Sequence, residues 1–344
     1  MGGRRDGRLD ERVEIGSARD RPRGDHEPAC ARGREIVADV LFIVNPASGA
    51  GRAGQEWAGI ASWLSSTGLS YEAVLTTRPL EATEIAERAV RQSRPAVVAV
   101  GGDGTLNEVV NGFFHNGAPI PTTTRLAMLP LGTGGDFRRT LKIPLDPKAA
   151  IEILRTGVAR RLDAGCVSYR TADGGTGVRH FINIADAGLG GEVVHRVNNG
   201  GKRLGPATFK LASFLALMRW KNKPMNVVVD GVAHDLKAMQ IVIANCQYFG
   251  GGMRMAPTAS PTDGVFDVIL VGDAGKLETI RGIGTVSRGA HLDEHNPHYQ
   301  LMYGKRISVS CEDRVRIDLD GEDPGFLPAL FEIQPGAIEF ITPR

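Results

Sequence analysis

The chain has 344 residues, 42% of them hydrophobic and 23% charged, and a formal net charge of +2. This suits a globular protein with two cores and excludes any global electrostatic pull toward nucleic acid or an anionic membrane. No apolar run reaches the roughly 20 residues of a membrane span, and Cys30, Cys166, Cys246 and Cys311 form no CxxC pair, which points to a reducing, cytoplasmic compartment.

Residues 1–35 are rich in Arg, Gly, Asp and Pro without apolar periodicity and are expected to form a disordered extension, with Arg19–Arg23 solvated. From Ile36 the pattern is strand Ile36–Val44, helix Gln55–Ser66, strand Tyr71–Leu75, helix Ala82–Arg91 and strand Ala96–Val100, a βαβαβ run. A helix over Thr105–Phe114 and a buried strand at Leu126–Leu129 continue it. After Leu162 the pattern changes to short strands: Val167–Tyr169, His180–Ala185, Met225–Val229, Ala238–Ala244, Gly264–Val271, Arg306–Ser310 and Arg314–Leu319. Many short strands predict an antiparallel sandwich, and the segment Pro206–Trp220 between them reads as one amphipathic helix at most.

Three glycine-rich turns close apolar runs: Asn45-Pro46-Ala47-Ser48-Gly49, Gly101-Gly102-Asp103-Gly104-Thr105 and Leu129-Pro130-Leu131-Gly132-Thr133-Gly134-Gly135-Asp136. Glycine lets backbone amides approach an anion, and Ser and Thr add donors. A helix opening directly after Gly101–Thr105 points its free N–H groups at the same place. The three turns together read as a cradle for a nucleotide triphosphate beyond the strand ends. Gly49, Gly51 and Gly54 with Glu72 imitate a dinucleotide fingerprint, but Asn45-Pro46 interrupts its geometry, and no GxxxxGK[ST] occurs. His291, His295 and His298 lie in a polar stretch without a nearby cysteine and read as a solvated loop rather than a zinc site.

The order NPxSG, GGDGT, LPxGTxxDF and a late DGE resembles the diacylglycerol kinase catalytic family of soluble bacterial lipid kinases, relatives of sphingosine and ceramide kinases, from about Val40 onward. The resemblance implies a Rossmann-like nucleotide-binding α/β domain over 36–162, an antiparallel β-sandwich lipid-binding domain over 163–334, an active site in the cleft between them, and a segment 335–344 returning to the first domain. It implies ATP and Mg²⁺ as cofactors, a membrane lipid as acceptor and peripheral contact with the membrane. Nucleic acid is not an expected partner, and a homodimer is an expected assembly.

The resemblance further implies roles for individual residues. Asn45, Ser48 and Thr76 hold the nucleotide. Gly101, Gly102, Gly104, Thr105 and Asn107 grip the phosphates, Asp103 orders Mg²⁺ or its waters, and Gly132, Thr133 and Asp136 form the third contact. Gly135 stands where relatives often carry Asn. Asp320 is the implied general base, with Glu322 orienting it or joining the Mg²⁺ network. Asp263, with the carbonyls of Ser260 and Val265, matches a structural Mg²⁺ site, for which a metal-free Asp-Gly turn is the alternative. The apolar face of Pro206–Trp220, flanked by Lys202, Arg203, Lys221 and Lys223, is either an interfacial helix or core packing. Acceptor choice stays open: diacylglycerol is favoured, a soluble acceptor such as NAD is the alternative, and a non-catalytic nucleotide-binding regulator is the third reading.

Overall fold

A computed structural model describes residues 40–199, 206–292 and 296–344. The expected N-terminal extension with Arg19–Arg23, Lys202, Arg203 and His295 therefore lie outside the described residues.

In chain order the first domain contains β1 (Val40–Val44), α1 (Arg52–Ser66), β2 (Tyr71–Leu75), α2 (Glu81–Arg91), β3 (Ala96–Gly101) and α3 (Asp103–Asn111). A short hairpin, β4 (Phe114–His115) and β5 (Ala118–Pro119), precedes β6 (Arg125–Pro130), α4 (Asp136–Thr140) and α5 (Pro147–Thr156). The second domain begins with β7 (Val158–Arg170), β8 (Thr176–Phe181), β9 (Ile184–Gly188), α6 (Leu189–Asn199) and α7 (Pro206–Arg219). Next come β10 (Lys223–Val229), β11 (Val232–Ala238), β12 (Gln240–Ala244), β13 (Phe266–Val271) and α8 (Lys276–Arg288). It closes with β14 (Tyr299–Gly304), β15 (Arg306–Ser310), β16 (Arg316–Leu319) and β17 (Glu322–Thr342).

The parallel strands β2, β1, β3 and β6 lie side by side in that order. β1 and β3 are wholly buried, as continuous apolar runs covered by helices on both faces must be. α2 shows how those helices are selected: Ala82, Ile85, Ala86, Ala89 and Val90 recur at helical spacing and are its buried residues. Phe42, Leu64, Leu106, Leu126 and Phe137 are fully buried in this core, and burying each such side chain contributes about 1.5–3 kcal/mol.

The second domain is a sandwich. β14, β13, β12, β9, β16 and β17 follow one another on one side, while β11, β10, β15, β17, β7 and β8 pair on the other. Its core joins Phe181, Phe266, Ile307, Ile317 and Phe331. β17 runs through both domains: it pairs antiparallel with β7 from Phe326↔Arg170 to Thr342↔Val158, and Phe340 sits parallel to Leu126 of β6. The pair shifts register between Gln334 and Ile338, where Gly336 takes a left-handed φ of 59°.

The helix expected over Pro206–Trp220 is present as α7, and the described residues of the second domain form two further helices, α6 and α8. α6, α7 and α8 contribute Leu189, Ala216, Leu217 and Val286 to a third core against Val242, Ile269 and Val271. The predicted strand His180–Ala185 is two strands, β8 and β9, broken at Ile182 and Asn183. α3 starts at Asp103, two residues earlier than predicted, so the central glycine turn is itself the first helical turn.

β9 and β16 place two carboxylates directly opposite each other, Asp186 and Asp318, in antiparallel register. Asp186 is fully buried, and its Oδ1 accepts the Gly191 amide at 3.1 Å in the first turn of α6. A Cβ at Gly190 would overlap the Asp186 carboxylate, so a glycine there lets the helix end close over the pair. Burial pushes the Asp186 carboxyl up to about 7, and burial together with the Asp186 charge raises Asp318. A carboxyl raised above its unfolded value favours folding below that unfolded value, about 4, and the benefit disappears as pH rises through the folded value. Asp186→Asn, which stays neutral and can donate to Asp318, should therefore gain in melting temperature relative to the parent as pH is raised from 5 to 8. A constant difference across that range in thermal melts would contradict this.

Candidate active site

Backbone contact brings the three glycine turns together. The Leu131 and Gly132 amides donate to the Gly101 carbonyl at 2.9 and 3.1 Å. A Cβ on Gly132 would overlap the Gly102 Cα, and one on Gly49 would lie 2.6 Å from the Leu131 carbonyl oxygen. A Cβ on Gly102 would stand 3.6 Å from Ser48 Oγ, which brings the serine of the first turn to the central one. Asn45 Nδ2 donates to Thr105 Oγ1 at 3.0 Å and its Oδ1 accepts the Ala47 amide at 3.1 Å, so Asn45 fixes the first turn to α3. Thr76 lies at the end of β2 with its amide on the Val44 carbonyl at 2.8 Å.

Asp103 joins the central turn to the third. Its Oδ2 accepts the Asp136 amide at 2.9 Å and its Oδ1 the Phe137 amide at 3.3 Å, which caps the N-terminus of α4. Burial raises its carboxyl, while these amides pull the other way. Gly135, the N-cap residue of α4, has φ 65°. Glycine and asparagine are the two residues that adopt this left-handed conformation most readily, so the departure at Gly135 keeps the turn while removing a side chain. Thr133 is exposed on the same turn. Asp136 is buried, and its Oδ2 accepts the Gly251 amide at 2.8 Å, linking the third turn to the Phe249–Met253 turn of the sandwich. Burial and then the Asp103 charge push Asp136 up to about 6. Its Oδ1 has no hydrogen bond, with the Arg139 guanidinium 3.6 Å away.

Across the cleft, Asp320 is the most heavily bonded carboxylate. Oδ2 accepts Asn107 Nδ2 and the Ile182 amide, each at 2.9 Å, and Oδ1 accepts the Asn183 and Ile184 amides, each at 3.0 Å. The β8–β9 break frees those three amides. The residue is 8% exposed and has a left-handed φ of 54°. Burial pushes its carboxyl up to about 6 against the four donors, which favour the charged form. Both of its oxygens are engaged by these four donors.

Two residues on, Glu322 opens β17 and faces the first domain: a Cβ added to Gly104 would lie 3.1 Å from Glu322 Oε1. Glu322 is thus the carboxylate set over the central glycine turn. Asn107 is 1% exposed and bonds the His180 carbonyl at 3.0 Å as well as Asp320, so it joins the two domains.

In the third turn-like segment, Asp263 Oδ1 accepts the Val265 amide at 3.2 Å, and Ser260 Oγ lies 3.1 Å from Thr262 Oγ1. Asp163, which the motif reading missed, organises this loop: it accepts the Gly264 amide at 2.8 Å and the Gly336 amide at 2.7 Å. Burial, and the nearby Asp263 charge, raise its carboxyl. A divalent cation held by Asp263 and the Ser260 and Val265 carbonyls would offset that repulsion, and oxygen ligands of this kind suit magnesium. Among the described residues no group of three or more His, Cys, Asp or Glu side chains forms a metal cluster. The apolar neighbours of Asp163 in Leu162-Asp163-Ala164 were the available signal.

The family description "Diacylglycerol kinase catalytic domain" matches residues 39–167, and "YegS C-terminal NAD kinase beta sandwich-like domain" matches residues 183–342. A Bacillus subtilis (strain 168) protein named diacylglycerol kinase is 31% identical over 306 residues, covering 88% of this chain and 96% of the relative. A solved Bacillus anthracis str. Sterne structure described as a diacylglycerol kinase superposes with a TM-score of 0.66 at 20% identity, covering 90% of this chain and 98% of the other. Yeast NADH kinase complexed with NADH shares the fold at a TM-score of 0.51 and 11% identity, covering 88% and 82%. With both halves matched in order and the sequence relationship spanning nearly the whole fold, the chain belongs to the diacylglycerol kinase family and is a phosphotransferase.

Proposed function

We propose that this kinase transfers the γ-phosphate of ATP to the hydroxyl of diacylglycerol, giving phosphatidic acid and ADP at the surface of a membrane. The relative named diacylglycerol kinase supports the acceptor, and the carboxylate of Glu322 over Gly104 carries the mechanism. The glycine turns hold the triphosphate through backbone amides, with Asn45, Ser48, Thr76, Thr105 and Thr133 at their margins. The acceptor oxygen bonds to the γ-phosphorus as the β–γ bridging bond breaks, ADP leaves with the bridging oxygen, and the alcohol proton passes to Glu322. Asp320 does not take the proton; its four donors hold the turn that aims Glu322.

Asp136, whose buried Oδ1 has no hydrogen bond, and Asp103 beside it would hold the magnesium of the nucleotide. Magnesium bound with ATP neutralises charge on the transferring phosphoryl group. Asp263 with the Ser260 and Val265 carbonyls would hold a second, structural ion.

The test is transfer of label from γ-labelled ATP into chloroform-extractable product over a lipid panel in detergent micelles. Glu322→Gln should lower kcat by about 10²–10⁴-fold while its melting temperature and its KM for ATP stay near those of the parent. Asp320→Asn should instead lower the melting temperature, because an amide presents a donor to amides that need an acceptor. Label confined to water-soluble product would replace the lipid with a soluble acceptor, and full activity in Glu322→Gln would remove it as the base. The pH profile gives an independent check. Asp136 and Asp320 must be charged to accept their amides, and both sit near 6, so kcat/KM should fall as pH drops through about 6. A flat profile between pH 5 and 7.5 would overturn that dependence.

A further inference from the structure

The strand that carries Glu322 loses its regular ladder at the next residue. β16 and β17 pair at Leu319↔Glu322 and again at Ile317↔Gly325, so Asp323 and Pro324 together stand opposite the single residue Asp318. This is a bulge, which bends the strand and re-aims a side chain, and Pro324 has no N–H with which to pair. Side chains hold the segment instead. Asp323 Oδ2 accepts Arg316 Nη1 at 2.8 Å and lies 2.6 Å from His195 Nδ1, while Asp323 Oδ1 is buried without a hydrogen bond. Both contacts therefore fall on one oxygen.

Both partners lead back to α6. His195 is one of its residues. Arg316, with its Cζ 4.8 Å from the centroid of the Phe326 ring, has its Nε 3.7 Å from Glu192 Oε2. Asn198 Nδ2 donates to the Gly321 carbonyl at 3.3 Å. Glu192, His195 and Asn198 follow one another at three-residue spacing, so successive turns along α6 reach the segment on either side of Glu322. Neighbouring side chains of a strand leave on opposite faces. With Asp323 turned to α6, Glu322 meets the central glycine turn, where a Cβ on Gly104 would lie 3.1 Å from its Oε1. Rotation of the strand about its axis moves both side chains together, so the hold on Asp323 sets the direction of Glu322.

We propose that His195 is a positioning residue for phosphoryl transfer: from α6, through Asp323, it holds Glu322 over the central glycine turn. The proposal rests on the reading of Glu322 as the proton acceptor and adds a residue that acts through another. The four donors to Asp320 fix the turn on one side of Glu322, and α6 fixes the strand on the other. Misplacing a reacting group by about an ångström costs up to about 10²-fold in rate, so the effect belongs in kcat. None of these bonds reaches a glycine turn, so the KM for ATP is independent of them.

The experiment is a double-mutant cycle on the full chain, read as transfer of label from γ-labelled ATP over the lipid panel. His195→Ala should lower kcat by about 10–10²-fold with the KM for ATP unchanged. His195→Asn, whose side-chain nitrogen takes the place of Nδ1, should restore most of the rate. In the Glu322→Gln background His195→Ala should cost nothing further, because groups that act as a unit are non-additive. The His195 side chain is 33% exposed and Asp323 keeps Arg316, so the melting temperature should hold. Parent-like kcat in His195→Ala overturns the proposal. So does an equal fall in the Glu322→Gln background, which would make His195 a support of the fold at large, and so does a raised KM for ATP at unchanged kcat, which would make it a nucleotide contact. Failure of the underlying reading looks different. Glu322→Gln at the parent rate removes Glu322 as the base, and the proposal with it, whereas label found only in water-soluble product changes the acceptor and leaves the cycle to be read on that product.

Discussion

The burial of the Asp320 charge sets the terms for the rest of the fold. A carboxylate removed from water needs hydrogen-bond donors or it neutralises, and here the donors come from two places far apart in sequence: Asn107 of α3 and the consecutive amides of Ile182, Asn183 and Ile184. Meeting that demand breaks the strand predicted over His180–Ala185, draws α3 against the sandwich and holds a non-glycine residue at φ 54°. Backbone strain of this kind costs on the order of 1–3 kcal/mol and persists because the four donors fix the turn. The reward is placement. The turn delivers Glu322 to Gly104 with the sandwich and the nucleotide domain already joined.

The other cleft carboxylates repeat this logic. Asp103 ties one turn to the helix after another, Asp136 ties that helix to the Gly251 turn, and Asp163 ties the Asp263 loop to the bend in β17. Each is a short acid accepting backbone amides from a segment that regular secondary structure leaves unpaired, and each has its carboxyl raised by burial. Burial and donors oppose one another at every position, with burial the larger effect, so all three carboxyls are raised and that of Asp136 reaches about 6.

The glycine turns and the βαβαβ order were legible because glycine, proline and apolar period are local signals. β2 begins and ends where the alternating pattern predicted. What stayed hidden depends on distance along the chain. Nothing near Asn107 indicates a partner 213 residues away, so a polar residue after GGDGT reads as a phosphate ligand. The Asp320-Gly321 pair reads as an exposed hairpin carboxylate until the amides around Ile182 are brought to it. α8 was missed because its apolar residues face outward and Gly282 and Gly284 interrupt its period. α6 was missed because Gly190 and Gly191 look like a turn, although close packing over Asp186 and the Arg316 carbonyl is what requires them. β17 carries Pro328, Pro335 and Gly336, residues that ordinarily end strands and here mark its bulges.

β17 also orders events during synthesis. The first domain supplies β2, β1, β3 and β6 from residues 40–130, but the neighbour of β6 on its open side is Phe340. Until the ribosome has passed that residue, β6 presents an unpaired edge of buried character, the kind of edge that recruits other strands. The first domain to emerge is thus among the last to be sealed. A truncation within the final twenty or so residues would expose the first domain's sheet, though it removes none of the glycine turns, and a nascent chain stalled at that length would be a substrate for chaperones before it could be a kinase.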